Sequence, residues 1–185
     1  MNLLLFPGAG SARTHSSLIA IEEAVAPMRC VRADFLYRKA GRKAPDRAPV
    51  LLQTVRDEAA ALLRDAPDGD LVLGGRSMGG RMCSMVVADV EDPLPARGLV
   101  LISYPLHPPG KPDVLRVEHL PRLTVPCLFI QGSRDPFGSP AELRHWTATI
   151  PGKVTHHWID DRGHDLKGAD ATIAEMVAAW ISALG

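Results

Sequence analysis

Cysteine is scarce and badly placed for pairing. Cys30, Cys83 and Cys127 are the three cysteines. They are far apart, odd in number and set in apolar surroundings, so buried free thiols are expected rather than bridges or metal ligands. No C-x-x-C pair occurs. Neither sign of charge is in excess: 21 Lys and Arg face 21 Asp and Glu, for a net charge of +0. Composition therefore points to neither nucleic acid nor a membrane surface as partner. No apolar run approaches the length that spans a bilayer. The first residues carry no basic segment, and residues 3–6 are too short an apolar stretch for a secretion signal. A reducing, cytoplasmic setting is expected. Nucleotide-binding loops are missing too. Gly8-Ala9-Gly10 opens like a dinucleotide fingerprint, but its third glycine would fall at Arg13, and no Gly-Lys-Ser/Thr loop occurs. There is no repeat and no low-complexity tract. Neither a cofactor nor a metal is expected.

What is present is an ordinary globular mix, 46% hydrophobic and 23% charged over 185 residues. That favours one domain, residues 1–185, with a sizeable core. Strand and helix signals alternate. Strands are expected at 2–6, 30–37, 70–73, 98–104, 126–131 and 153–159. Helices are expected at 16–26, 49–64, 81–90, from Ser139 to about 149, and at 170–184. Thr14 and Ser16 are N-cap candidates for the first helix, and Ser139-Pro140-Ala141-Glu142 is a capping box. Pro67-Asp68-Gly69 stops the second helix. Leu99-Val100-Leu101-Ile102 is apolar without alternation, as suits a parallel strand covered on both faces. The fold class is α/β: a three-layer α/β/α sandwich around a mostly parallel, six-stranded sheet. Ligands of such sheets bind beyond the carboxyl ends of the strands.

At the centre lies Gly74-Gly75-Arg76-Ser77-Met78-Gly79-Gly80, between the third strand and the following helix. Gly75, Ser77 and Gly79 fill G-x-S-x-G. A strand turning sharply into a helix strains its central residue, and only small neighbours tolerate the approach. The turn aims the serine Oγ outward and the Met78 N–H at the helix N-terminus, where negative charge is favoured. A serine hydroxyl needs a base to become a nucleophile.

Gly132-x-x-Asp135 follows the fifth strand and Gly163-His164 the sixth. With G-x-S-x-G these give the order Ser…Asp…His, and the chain resembles the α/β-hydrolase superfamily throughout its length. It looks most like the small, lidless, dienelactone-hydrolase-like branch of predicted hydrolases. Those often carry His-Gly-Ala after the first strand, where this chain has Pro7-Gly8-Ala9. The resemblance implies Ser77 as nucleophile, His164 as base and Asp135 as the acid that orients it. It implies the N–H groups of Met78 and Ala9 as oxyanion donors, with Gly10 the alternative to Ala9. Asp160 and Asp161 lie nearer to His164 in sequence. Gly10, Arg76, Tyr104 and His107 are candidate substrate contacts, because the chain from Tyr104 to His107 leaves the fourth strand at the active edge. The remaining histidines, His15, His119, His145, His156 and His157, read as surface or packing residues. Cys83 and the tryptophans Trp146, Trp158 and Trp180 read as packing.

The stretch between the fourth and fifth strands is only about twenty residues, too short for a helical lid. The expected activity is cleavage of a small-molecule ester or thioester through an acyl-enzyme, and peptidase or acyltransferase chemistry is open to the same triad. The other reading is a scaffold for protein interaction with vestigial chemistry; fold alone does not choose. The basic loop 38–47, with Arg38, Lys39, Arg42 and Lys43, is either solvated or attracts an anionic substrate. The sequence leaves the oligomeric state open.

Overall fold

The computed structural model describes residues 1–67 and 69–184. Asp68, within the expected helix stop, and Gly185, the last residue of the expected domain, lie outside the described residues. Six strands form one parallel sheet: β1 (Asn2–Phe6), β2 (Arg29–Arg32), β3 (Leu71–Arg76), β4 (Gly98–Ile102), β5 (Cys127–Gly132) and β6 (Val154–Ile159). Their spatial order is β2-β1-β3-β4-β5-β6, and every neighbouring pair is parallel. The helices are α1 (Ser16–Ala24), α2 (Leu36–Lys39), α3 (Ala48–Asp65), α4 (Met78–Val87), α5 (Pro140–Thr147) and α6 (Asp170–Ser182).

Unalternating apolar strands put both sheet faces into core. Leu4, Phe6, Leu71, Leu73, Leu99, Leu101, Cys127 and Phe129 pack with α3, α4 and α5 on one face. Leu3, Leu5, Val72, Val100, Ile102, Leu128 and Ile130 pack with α1 and α6 on the other. The period of two along each strand thus distributes successive side chains to opposite layers. Strand order reverses between β1 and β3, which is where the crevice of such a sheet opens. Among the described residues no helix is long and apolar enough to cross a membrane.

Three local expectations are corrected. The second strand ends at Arg32 and not at 37, because its one partner, β1, ends one residue beyond the last pair, Leu5 with Arg32. Phe35 and Tyr37 are still fully buried, which produced the strand-like alternation, but they pack from a turn and from α2. The α1 N-cap is His15, whose Nδ1 accepts from the Ser17 N–H at 3.3 Å, rather than Thr14 or Ser16. Helix α4 begins at Met78 and ends at Val87, so Val90 is 75% exposed. The capping box at Ser139 and Glu142 forms as expected. Between β4 and β5 the chain is irregular except for one 3-10 turn at Leu120–Arg122, and it carries no lid.

His119, just before that turn, is buried with its Nε2 2.8 Å from Ser84 Oγ. Burial, then the charges of Arg81 and Arg122, push its pKa down to about 4. An unfolded histidine titrates near ~6.5, so between these values the unfolded chain binds the extra proton. Stability therefore falls as the pH is lowered through that window. Thermal unfolding across it is expected to show a falling Tm in the wild type and a flatter dependence in His119→Gln. An identical slope in both would contradict this role.

Candidate active site

Strand β3 runs directly into α4, with Ser77 between them at φ 48° and ψ −117°. A non-glycine residue held there costs about 1–3 kcal/mol and persists only where its surroundings over-determine it. The Ser77 N–H donates to the Ile102 carbonyl at 2.8 Å, and the Ser77 carbonyl accepts from the Arg81 N–H at 3.0 Å. Both flanking glycines are required by close approach. A Cβ at Gly75 would collide with the Phe6 carbonyl oxygen, and one at Gly79 would stand 2.6 Å from the carbonyl oxygens of Phe6 and Pro7. The end of β1 is thereby pressed against the elbow, and the loop after it faces Ser77.

Asp135 and His164 arrive from the loops after β5 and β6. His164 Nδ1 lies 2.8 and 3.0 Å from the two Asp135 carboxylate oxygens, and its Nε2 lies 2.9 Å from Ser77 Oγ. A carboxylate only accepts, so Nδ1 donates to it, and Nε2 is left to accept from the serine hydroxyl. The Asp135 carboxylate is wholly buried, and a buried charge needs donors. The Phe137 N–H and Gln131 Nε2 each donate to it at 2.9 Å. The Phe137 ring stacks on the His164 imidazole with centroids 4.0 Å apart. Asp160 and Asp161 are exposed, and Asp161 pairs with Arg134 at 2.6 Å instead of reaching the imidazole.

A pocket of about 730 Å³ opens over Ser77 and His164, lined among others by Ala9, Gly10, Met78, Met82 and Phe137. Among the described residues no backbone carbonyl accepts from the N–H of Met78 or of Ala9. The Ala9 carbonyl accepts from Tyr37 Oη at 2.8 Å, which fixes the loop. Buried Cys83 packs beneath the elbow, its thiol pKa raised by burial.

Three expected substrate contacts are not free for that role. Arg76 borders the pocket, but its guanidinium donates to the carbonyls of His164 at 3.3 Å and Asp165 at 2.9 Å, and so holds the histidine loop. Tyr104 is buried outside the pocket lining, its Oη donating to the Arg116 carbonyl at 3.0 Å. His107 is also buried outside it, its Nδ1 donating to the Pro108 carbonyl at 2.9 Å. Tyr104 and His107 fold inward, while Pro105 and Arg116 of the same segment line the pocket. Two cations of the basic loop are held by acids of this chain. Lys39 pairs with Glu58 and Arg42 with Asp46, and only Pro45 and Asp46 of that loop reach the pocket.

Gln131 went unrecognised in the sequence. It is fully buried, and its amide accepts from the Tyr104 N–H at 2.7 Å while donating to Asp135. The signal was available: an amide ending an apolar strand, four residues before the acid.

Residues 1–183 match the family model described as an alpha/beta hydrolase domain. Among solved structures, an alpha-beta serine hydrolase homologue from Coxiella burnetii is similar with a TM-score of 0.77 at 13% identity, covering 97% of this chain and 85% of that one. A protein of the alpha/beta superfamily from Xanthomonas campestris pv. campestris is similar at 0.73 and 21% identity, covering 98% of both chains. A thermophilic esterase from Thermogutta terrifontis is similar at 0.72 and 18% identity, covering 100% and 90%. At these identities the likeness speaks to the fold.

Gln131→Leu keeps the volume of the side chain but strands the buried Tyr104 N–H and removes one of the two donors to Asp135 Oδ2. A buried group left without its partner costs about 1–3 kcal/mol. Urea unfolding is expected to show a loss of at least that size. A loss under about 0.5 kcal/mol, the level of an ordinary surface change, would show that the amide holds nothing.

Proposed function

Because the chain belongs to the alpha/beta hydrolase domain family, we propose that it is a serine hydrolase cleaving a small ester or thioester through an acyl-enzyme. The observation that carries this reading is the unbroken hydrogen-bond chain from Asp135 through His164 to Ser77, ending in an open pocket. Ser77 Oγ attacks the acyl carbon while its proton passes to His164 Nε2. Charge develops on the carbonyl oxygen, and the N–H groups of Met78 and Ala9 receive it, each such donor being worth about 3 kcal/mol. The bond to the alcohol or thiol breaks, and the leaving group takes the proton from Nε2. Water then attacks the acyl carbon with His164 as base, releasing the acid and restoring Ser77. Asp135 stays ionised throughout, holding the imidazole tautomer and stabilising the imidazolium. No step calls on a cofactor. The absence of a lid leaves the pocket open to small substrates, and the free thiols suit a reducing cytoplasm.

Hydrolysis of a short p-nitrophenyl ester tests this. Ser77→Ala and His164→Ala are expected to abolish turnover. Asp135→Asn is expected to lower kcat by about 10⁴ through the wrong tautomer, whereas Asp160→Asn and Asp161→Asn have little effect. Turnover by Ser77→Ala equal to that of the wild type would reject the mechanism and favour an interaction scaffold.

A further inference from the structure

Two arginines in the pocket have no counter-charge. Arg81 lies on α4 one helical turn beyond the elbow, its backbone N–H bonded to the Ser77 carbonyl. Residues four apart share a helix face, and helical side chains lean toward the N-terminus, here toward Ser77. Its Nε is buried with no hydrogen-bond partner among the described residues. Arg116 enters from the segment after β4 and also lines the pocket. Its backbone is pinned at both ends: the N–H donates to the Leu106 carbonyl at 2.8 Å, and the carbonyl accepts from Tyr104 Oη at 3.0 Å. Among the described residues neither guanidinium has an acid within ion-pair distance.

The contrast with the other charges nearby is informative. Arg76 is spent on two carbonyls, and Asp46 pairs through Oδ1 with Arg42 at 2.7 Å, its buried Oδ2 being without a hydrogen-bond partner among the described residues. Arg81 and Arg116 face one another's charge instead. Burial first, and then Arg81, lower the Arg116 pKa. Two like charges drawn partly out of water without a partner are costly unless a ligand supplies the opposite charge. A guanidinium fork matches a carboxylate or phosphoryl group with two parallel hydrogen bonds.

Resting on the hydrolase reading, we propose that Arg81 and Arg116 form an anion subsite, and that the substrate is an ester or thioester carrying a carboxylate or phosphoryl group a few carbons from the scissile bond. The spacing follows from α4: one turn is about 5.4 Å along the axis. Tyr104 and His119, buried behind this subsite, act as its support, through the Arg116 carbonyl and through Ser84.

The test compares three esters of similar length: monomethyl succinate, with the charge on the acyl side; O-butyryl glycolate, with the charge on the alcohol side; and neutral methyl butyrate. Acid release is followed at constant pH for the wild type, Arg81→Gln and Arg116→Gln. The wild type is expected to prefer one anionic ester at least about tenfold in kcat/KM, and the preferred ester identifies the charged side. Each substitution is expected to lower that ester's kcat/KM by about 10- to 100-fold, the range for a hydrogen-bonded charge, mainly through KM. The loss on methyl butyrate is expected to be at least tenfold smaller. Succinate and inorganic phosphate, as competitive inhibitors of methyl butyrate cleavage, separate carboxylate from phosphoryl recognition. Methyl butyrate cleaved as well as both anionic esters by the wild type, or equal losses on all three in the variants, would overturn the subsite while leaving the hydrolase reading intact. If no ester is cleaved, that reading falls by itself. Calorimetry with succinate and phosphate then decides the subsite: binding lost in Arg81→Gln upholds it, and no binding of either overturns it.

Discussion

The structure depends on one close approach, that of the carboxyl end of β1 to the turn between β3 and α4. Phe6 and Pro7 carbonyls stand where side chains at Gly75 and Gly79 would be. That contact leaves Ser77 no ordinary backbone conformation. It also carries the loop with Ala9 and Gly10 to the mouth of the pocket. The strain is matched by hydrogen bonds at Ser77 N and O. The flanking strands are buried through all their residues, so the elbow rests on elements that do not yield.

The sheet edge that carries Ser77, Asp135 and His164 is then assembled by long-range polar contacts. Arg76, the residue before Ser77, reaches the carbonyls of the histidine loop. Gln131 ties the chain after β4 to the acid loop through Tyr104 on one side and Asp135 and Gly138 on the other. The side chains that touch Ser77 are few, but the groups fixing their angles come from the end of β3, the chain after β4, and the end of β5 with its loop. Small losses in this second set are felt as misorientation of the imidazole rather than as an empty core.

Most of the architecture was legible because the apolar runs are long and their flanks are well marked. Leu99 to Ile102 reads as a buried parallel strand and is one. Gly75, Ser77 and Gly79 mark the elbow, and the order of Ser77, Asp135 and His164 places them on one edge. Partners were not legible. Nothing local says that Arg76 folds back on a carbonyl, or that Tyr104 and His107 turn inward, because those choices belong to the packing of a proline-rich loop. The alternation of Ala33, Phe35 and Tyr37 has the period of a strand, yet β1 runs out of residues to pair with it. The basic loop 38–47 read as a cationic face. Lys39 and Arg42 are instead met by Glu58 and Asp46, while Arg81 and Arg116, which line the pocket without an ion pair among the described residues, sit in a helix and a loop that showed no charge run.

The central claim is that Ser77 is activated by His164, and reaction with a fluorophosphonate measures that most directly. The reagent needs an exposed Oγ, a base to take its proton and N–H donors for the phosphoryl oxygen, but no knowledge of the natural substrate. The account predicts one adduct per folded chain, located on Ser77, absent in Ser77→Ala and strongly slowed in His164→Ala. A folded wild type that stays unlabelled, or labels as fast after His164→Ala, would contradict it.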